Sequence, residues 1–104
     1  MKIACIGEAM VELSLQSGSD QAGLGFAGDT LNTAIYLKRE APSLEVSYVT
    51  RLGRDDFSDR MNDFIAAEDI STAEIERSET ARVGLYAITT DDEGERSFTY
   101  WRET

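Results

Sequence analysis

The chain has 104 residues, which suits one domain and is too short for several. A hydrophobic content of 41%, with four Phe, four Tyr and one Trp, supplies material for a packed core and excludes wholesale disorder. Twenty acidic residues against ten basic ones give a formal charge of −10, which opposes the counterion release behind nucleic-acid affinity. No nucleic-acid partner is expected, and any anionic ligand needs a local cluster of donors and cations.

The run Lys2 to Gly7 is short and apolar and ends in glycine, the pattern of a buried strand before a turn. Cys5, the single cysteine, lies inside it, which predicts a buried thiol in a reducing compartment; the chain has no His to activate it as a nucleophile. Glu8 and Glu12 break the apolar start, so it reads as neither signal peptide nor membrane span, and no membrane partner is expected. A cytoplasmic location is the default. Met10 to Leu15 alternates Val11, Leu13 and Leu15 with Glu12 and Ser14, as a half-exposed strand does. Ser17 to Asp20 is a loop. After Gly23, Gly25 and Gly28, the stretch Thr30 to Arg39 puts Leu31, Ala34, Ile35 and Lys38 on one face. This predicts a flexible glycine turn leading into a helix capped by Asp29 or Thr30 and closed before Pro42.

Glu45 to Leu52 has strand composition, and Phe57, Met61, Phe64 and Ile65 have the spacing of an amphipathic helix that Asp55 or Asp56 can cap. Ile70 to Ile75 fits strand and helix equally. Val83 to Thr90 and Arg96 to Arg102 are β-rich runs around Asp91 to Glu95, a hairpin in which Gly94 can take a positive φ. The succession is α/β with extra strands. It ends on Trp101, Arg102, Glu103 and Thr104, directly after a strand and without a closing helix. A sheet of so few strands leaves a face or edge bare, so the chain is expected to be part of a longer one.

Gly23, Gly25 and Gly28 spell G-x-G-x-x-G, but a dinucleotide fingerprint directly follows a buried strand, and here polar Ser17 to Gln21 precedes it. Gly28, Asp29 and Asn32 offer a better site. Gly28 admits close approach to the backbone, Asp29 has two acceptors for a vicinal diol, Asn32 adds a donor and an acceptor, and a helix start supplies free amides. That combination suits a polyol; the plainer roles, a cap and an exposed helix residue, are the commoner ones. In the hairpin, alternation sets Phe98, Tyr100 and Arg102 on one face, within reach of Tyr86. A guanidinium matches a carboxylate and phenols fix hydroxyls, although aromatic pairs on a solvated hairpin are the commoner case. Asp91 to Glu95 lacks the alternation of a calcium loop, one Cys without His makes no zinc site, and no Walker lysine motif is present.

Three segments together resemble the PfkB/ribokinase family of carbohydrate kinases: Ile6 to Glu12 (IGEAMVE), Ala27 to Ala34 (AGDTLNTA) and Val49 to Phe57 (VTRLGRDDF). They cover essentially the whole chain in the family's order. Within the family the chain is most similar to the 2-keto-3-deoxygluconate kinases, which share the Gly28 to Thr33 run and the segments Gly84 to Tyr86 and Tyr100 to Arg102. The resemblance implies the N-terminal part of a ribokinase-like three-layer α/β/α fold over residues 1–104, with a small β lid made by strands near 10–28 and 83–102. It implies a sugar pocket lined by Gly28, Asp29, Thr30, Leu31, Asn32, Tyr86, Tyr100, Trp101 and Arg102, with Arg102 facing the carboxylate of an acidic sugar. Two positions depart from the family's usual pattern. Asp29 stands where a second glycine is common, as in the ketodeoxygluconate subgroup, and Ser58 stands where a glycine often follows the Gly-x-Asp-x-Phe stretch.

The resemblance further implies that ATP and Mg2+ serve the full-length parent at sites outside this chain, along with the catalytic base, so that the fragment alone is inactive. It implies a homo-oligomer formed through the lid strands. The expected activity is phosphorylation of 2-keto-3-deoxygluconate. The rival readings are a kinase for a neutral sugar such as fructose or ribose, and a non-catalytic sugar-binding or dimerisation module.

Overall fold

The computed structural model describes residues 1–102; Glu103 and Thr104 of the chain end lie outside the described residues. Two parallel strands, β1 (Lys2–Ile6) and β4 (Glu45–Val49), form the base of an α/β unit, with Ile3 opposite Val46 and Cys5 opposite Tyr48. Between them run β2 (Met10–Gln16), β3 (Ala22–Ala27) and helix α1 (Asp29–Glu40). After β4 come β5 (Arg51–Leu52), helix α2 (Asp56–Ala67), β6 (Glu76–Arg77), β7 (Gly84–Thr90) and β8 (Arg96–Trp101). The short β5 pairs in parallel with β6, and Ser47 bridges Ser71.

One hydrophobic cluster holds this unit together. Leu31 and Ala34 of α1, Met61 and Ile65 of α2, and Tyr48 of β4 are fully buried in it, beside Val46, Leu52, Ile70 and Ala9. Burying the Val, Leu, Ile and Met side chains among them contributes about 1.5–3 kcal/mol each before the entropy of ordering them is set against it. Phe26 and Phe64 pack with ring centroids 5.0 Å apart and tie β3 to α2. Arg39 of α1 holds Glu68 through two hydrogen bonds of 2.9 and 2.8 Å at the end of α2.

The face of β1 away from the helices is open: Lys2, Ala4 and Ile6 are exposed, Ile6 by 70%. The opening run is therefore half-exposed rather than buried, and Cys5 is only half-buried, because among the described residues helices cover one side of β1 and β4. The described chain thus shows two layers, helices on a sheet, of an α/β architecture.

A second, four-stranded sheet has the order β3-β2-β7-β8 and shares no strand with the β1–β4 pair. Its outer pairs are antiparallel hairpins, and β2 and β7 join them in parallel. The β7–β8 turn follows expectation: Gly94 has φ 82°, and the Asp91 carboxylate accepts the amides of Glu93 and Glu95 at 2.9 and 2.8 Å. The glycine segment does not. Gly23 and Gly25 lie in β3, paired with Ser14 and Glu12, so the anticipated flexible turn is an edge strand. Cross-strand pairing overrides glycine's weak strand preference there, and the missing side chains leave one face of β3 bare.

The caps divide in the same way. Asp55 caps α2, its carboxylate accepting the Ser58 amide at 3.1 Å. The N-cap of α1 is Gly28, not Asp29 or Thr30, and no side chain caps that helix. Gly28 has φ 152°, and a Cβ there would lie 2.6 Å from the Glu8 carbonyl oxygen. The chain must cross under the β1–β2 connection at that point, and only glycine leaves the room.

Candidate sugar-binding site

Register places the candidate residues in rows across one face of the four-stranded sheet. Gly25, Glu12, Tyr86 and Tyr100 lie side by side from β3 to β8. The rings of Tyr86 and Tyr100 stack with centroids 5.7 Å apart, and Phe98 stacks on Tyr100 at 6.4 Å. Glu12 accepts a 2.5 Å hydrogen bond from the Tyr86 hydroxyl. Burial, then that bond and the carboxylate's charge, push the Tyr86 phenol up to about 12. Tyr86 therefore stays protonated near neutrality and serves as a hydrogen-bonding group, not as a base.

The neighbouring row leads from Met10 and Gly84 to Arg102, the residue after β8. Arg102 forms an ion pair with Glu8, which lies in the connection between β1 and β2. The two side chains are 48% and 45% exposed, so solvent reaches the pair. Arg82, Val83, Tyr100, Trp101 and Arg102 line an open cleft of about 490 Å³ at this end of the sheet.

The start of α1 lies against the same connection. Gly28 passes under Glu8, and a Cβ on Gly7 would fall 2.1 Å from the Thr30 hydroxyl oxygen. The first helical bond is Asn32 N–H to the Gly28 carbonyl at 2.8 Å, so the amides of Asp29, Thr30 and Leu31 precede the helical ladder. The Thr30 hydroxyl pairs with that of buried Tyr48 at 2.9 Å.

Of the residues expected in a pocket, Tyr100 and Arg102 line the cleft, Tyr86 stacks on Tyr100, Gly28 lies under Glu8, and Asp29 is exposed at the start of α1. Leu31 does not contribute its side chain, which is fully buried in the core. Asn32 is exposed and lines a separate groove of about 360 Å³ with Phe26, Ile35, Tyr36, Arg39 and Phe64. Trp101 points to the opposite face from Tyr100 by strand alternation, yet borders the cleft at the strand end. Sequence reasoning assigns no site role to Glu8 or Glu12. Their partners lie 94 and 74 positions away, and alternation marks Glu12 only as a polar strand residue.

A glycine-opened helix start, a phenol pair and a guanidinium at the mouth of a β-sheet are a set of groups suited to hydroxyls and a carboxylate on a small ligand. The pfkB family carbohydrate kinase profile matches residues 1–104, and the chain belongs to that family. More particularly, it is 50% identical over 103 residues to 2-dehydro-3-deoxygluconokinase of Escherichia coli K12, covering 97% of this chain and 33% of that protein. It is 42% identical over 103 residues to the enzyme of the same name from Haemophilus influenzae, covering 97% of this chain and 32% of that protein. The chain thus spans about a third of the length of the curated relatives it matches. Among solved structures, fructokinase from Xylella fastidiosa superposes with a TM-score of 0.84 at 30% identity, over 97% of this chain and 32% of that one. The 2-dehydro-3-deoxygluconokinase of Thermotoga maritima shares the fold, with a TM-score of 0.86 at 23% identity, over 98% of this chain and 32% of that one. The α/β unit and its added sheet are therefore the N-terminal part of the fold of ribokinase-like sugar kinases.

Proposed function

We propose that this chain is the sugar-binding portion of a kinase that transfers the γ-phosphoryl group of ATP to a primary hydroxyl of 2-keto-3-deoxygluconate. The observation that carries the reading is Arg102, a guanidinium at the open end of the sheet beside Tyr100, in a chain otherwise dominated by acidic residues. It supplies the local positive charge that an acidic sugar requires. Tyr86 and Tyr100 meet sugar hydroxyls, Asp29 and the amides after Gly28 hold the other end, and Trp101 walls the cleft. The four-stranded sheet serves as a lid over the sugar, excluding water from the transfer. ATP and Mg2+ bind, and the attacking hydroxyl loses its proton, at residues outside this chain. Phosphoryl transfer depends on assembling those parts, so this portion alone is inert.

The names of the curated relatives favour the acidic sugar; the likeness to a fructokinase favours a neutral one, in which case Arg102 has no carboxylate to meet. The test is competition between 2-keto-3-deoxygluconate and fructose in the complete enzyme, with Arg102→Gln alongside. The acidic-sugar reading expects KM for the acid to rise about ten- to hundredfold in the variant, the loss of a bidentate charge-assisted pair, while any turnover of fructose is unchanged. Fructose as the preferred substrate of the wild-type enzyme overturns it. The enzyme is cytoplasmic and self-associates through the other face of the sheet, where Leu13 pairs with Leu24 and Leu85 with Trp101, and Leu24 and Trp101 are 45% and 55% exposed.

A further inference from the structure

We propose that Glu8 is an internal stand-in for the substrate's carboxylate, holding the Arg102 guanidinium until an acidic sugar displaces it, so that Glu8 tunes the affinity and selectivity of the site. The inference rests on the acidic-sugar reading above.

Three observations carry it. First, the backbone places Glu8, and Arg102 does not. Its carbonyl oxygen lies over Gly28, 2.6 Å from where a Cβ would be, and its carboxylate lies 3.2 Å from the corresponding position on Gly84. Glycine at both sites gives Glu8 a berth in the fold, whereas Arg102 lies beyond the last residue of an edge strand. Second, Glu8 meets the guanidinium at Nη2 through one carboxylate oxygen, Oε1. A guanidinium has five donors in a planar fork and favours two parallel bonds to one carboxylate, which a ligand's carboxylate can make in its turn. Third, both side chains are about half exposed, 48% and 45%, and pairs so open to solvent are held weakly. Exchange with an incoming carboxylate is therefore cheap. A neutral sugar brings no group that can displace Glu8, and Arg102 stays paired in its presence. In a chain of charge −10 the arrangement also keeps the cation from recruiting small anions indiscriminately.

Glu8 is on this view a positioning residue acting through Arg102. The experiment uses the complete kinase with Glu8→Gln, Arg102→Gln and the double variant. Steady-state kinetics are measured with 2-keto-3-deoxygluconate, together with calorimetric binding of the same sugar acid without ATP. Glu8→Gln is expected to lower KM and Kd about two- to fivefold, the range set by the weakness of exposed pairs, with kcat unchanged. It should also raise competitive inhibition by sulfate, and both effects should vanish when Arg102 is Gln. A KM that is unchanged or raised, a fall in kcat, or an effect that persists without Arg102 overturns the inference while leaving the substrate reading intact. If neither the wild-type enzyme nor Glu8→Gln binds the sugar acid, the substrate reading itself fails and takes the inference with it.

Discussion

Among the described residues Ser58 is a buried polar side chain, fully inaccessible at the first turn of α2. Its hydroxyl accepts the Gly53 amide at 2.9 Å and donates to the Asp55 carboxylate at 2.7 Å, while its own amide donates to the same carboxylate at 3.1 Å. A glycine here could make only the last of these bonds, so the serine locks the Gly53–Asp55 turn onto the helix. Ser58→Ala leaves a buried amide without an acceptor and removes one donor to a partly buried carboxylate. The first loss costs about 1–3 kcal/mol and the second about 1 kcal/mol, since water reaches Asp55, for a total of about 2–4 kcal/mol. Urea denaturation at neutral pH should show this as a lower midpoint at unchanged slope. Asp55→Ala should cost about 1–2 kcal/mol as a lost cap. The double variant should lose less than the sum of the two, because they share one hydrogen bond.

A second readout is acid stability. Burial favours the neutral Asp55 carboxyl, but bonds from the Ser58 hydroxyl and amide, with those from the backbone of Asp55 and Val83, outweigh it and hold the group below its ordinary value of 3.8. A carboxyl depressed in the folded state stabilises the protein above its ordinary value, and that contribution is lost as pH falls through the folded one. Ser58→Ala should flatten this acid limb. A cost under about 0.5 kcal/mol, or full additivity with Asp55→Ala, would refute the reasoning.

Gly28→Ala should destabilise by about 2–5 kcal/mol, because a left-handed φ and a Cβ pressed against the Glu8 carbonyl act together; chemical denaturation checks it. Glu12→Gln should move the Tyr86 titration down from about 12, read by tyrosinate absorbance. In the wild type the Tyr86 contribution is present below the ordinary value of 10.0 and is lost as pH rises towards about 12, and the variant should narrow that window. Leu24→Asp, on the exposed apolar face of the four-stranded sheet, should weaken self-association at least tenfold in sedimentation, without altering secondary structure by circular dichroism.

How far these features were legible depended on how local their causes are. The α2 spacing read correctly because Met61 and Ile65 face the core at helical intervals, although Phe57 on the same stripe remains 41% exposed. The β7–β8 hairpin read correctly because Asp91 and Gly94 set its turn within five residues. Gly23 and Gly25 misled because glycine reports a need for space or freedom without saying which; here pairing with β2 decides the conformation. The Asp29 cap was overruled by a crossing chain segment from residue 8, which no local pattern announces. β6 has two residues, and its pairing with β5 is a product of tertiary placement alone. Alternation sets Tyr100 and Arg102 on one face and strand pairing brings Tyr86 beside Tyr100, whereas the carboxylates that meet Tyr86 and Arg102 come from the other end of the chain.

The parallel seam between β2 and β7 also governs the order in which the molecule can assemble. Each hairpin closes over a short loop, but docking residues 10–16 against 84–90 closes a loop that holds everything from β3 to β6. Long-range parallel pairing of this kind is slow, since the loop entropy is lost before the contacts form. During synthesis the β2–β3 hairpin must wait with an open edge until β7 emerges, a window in which pairing with another nascent chain competes. Substitutions that slow the intervening α/β unit should therefore lower soluble yield more than their effect on equilibrium stability would suggest.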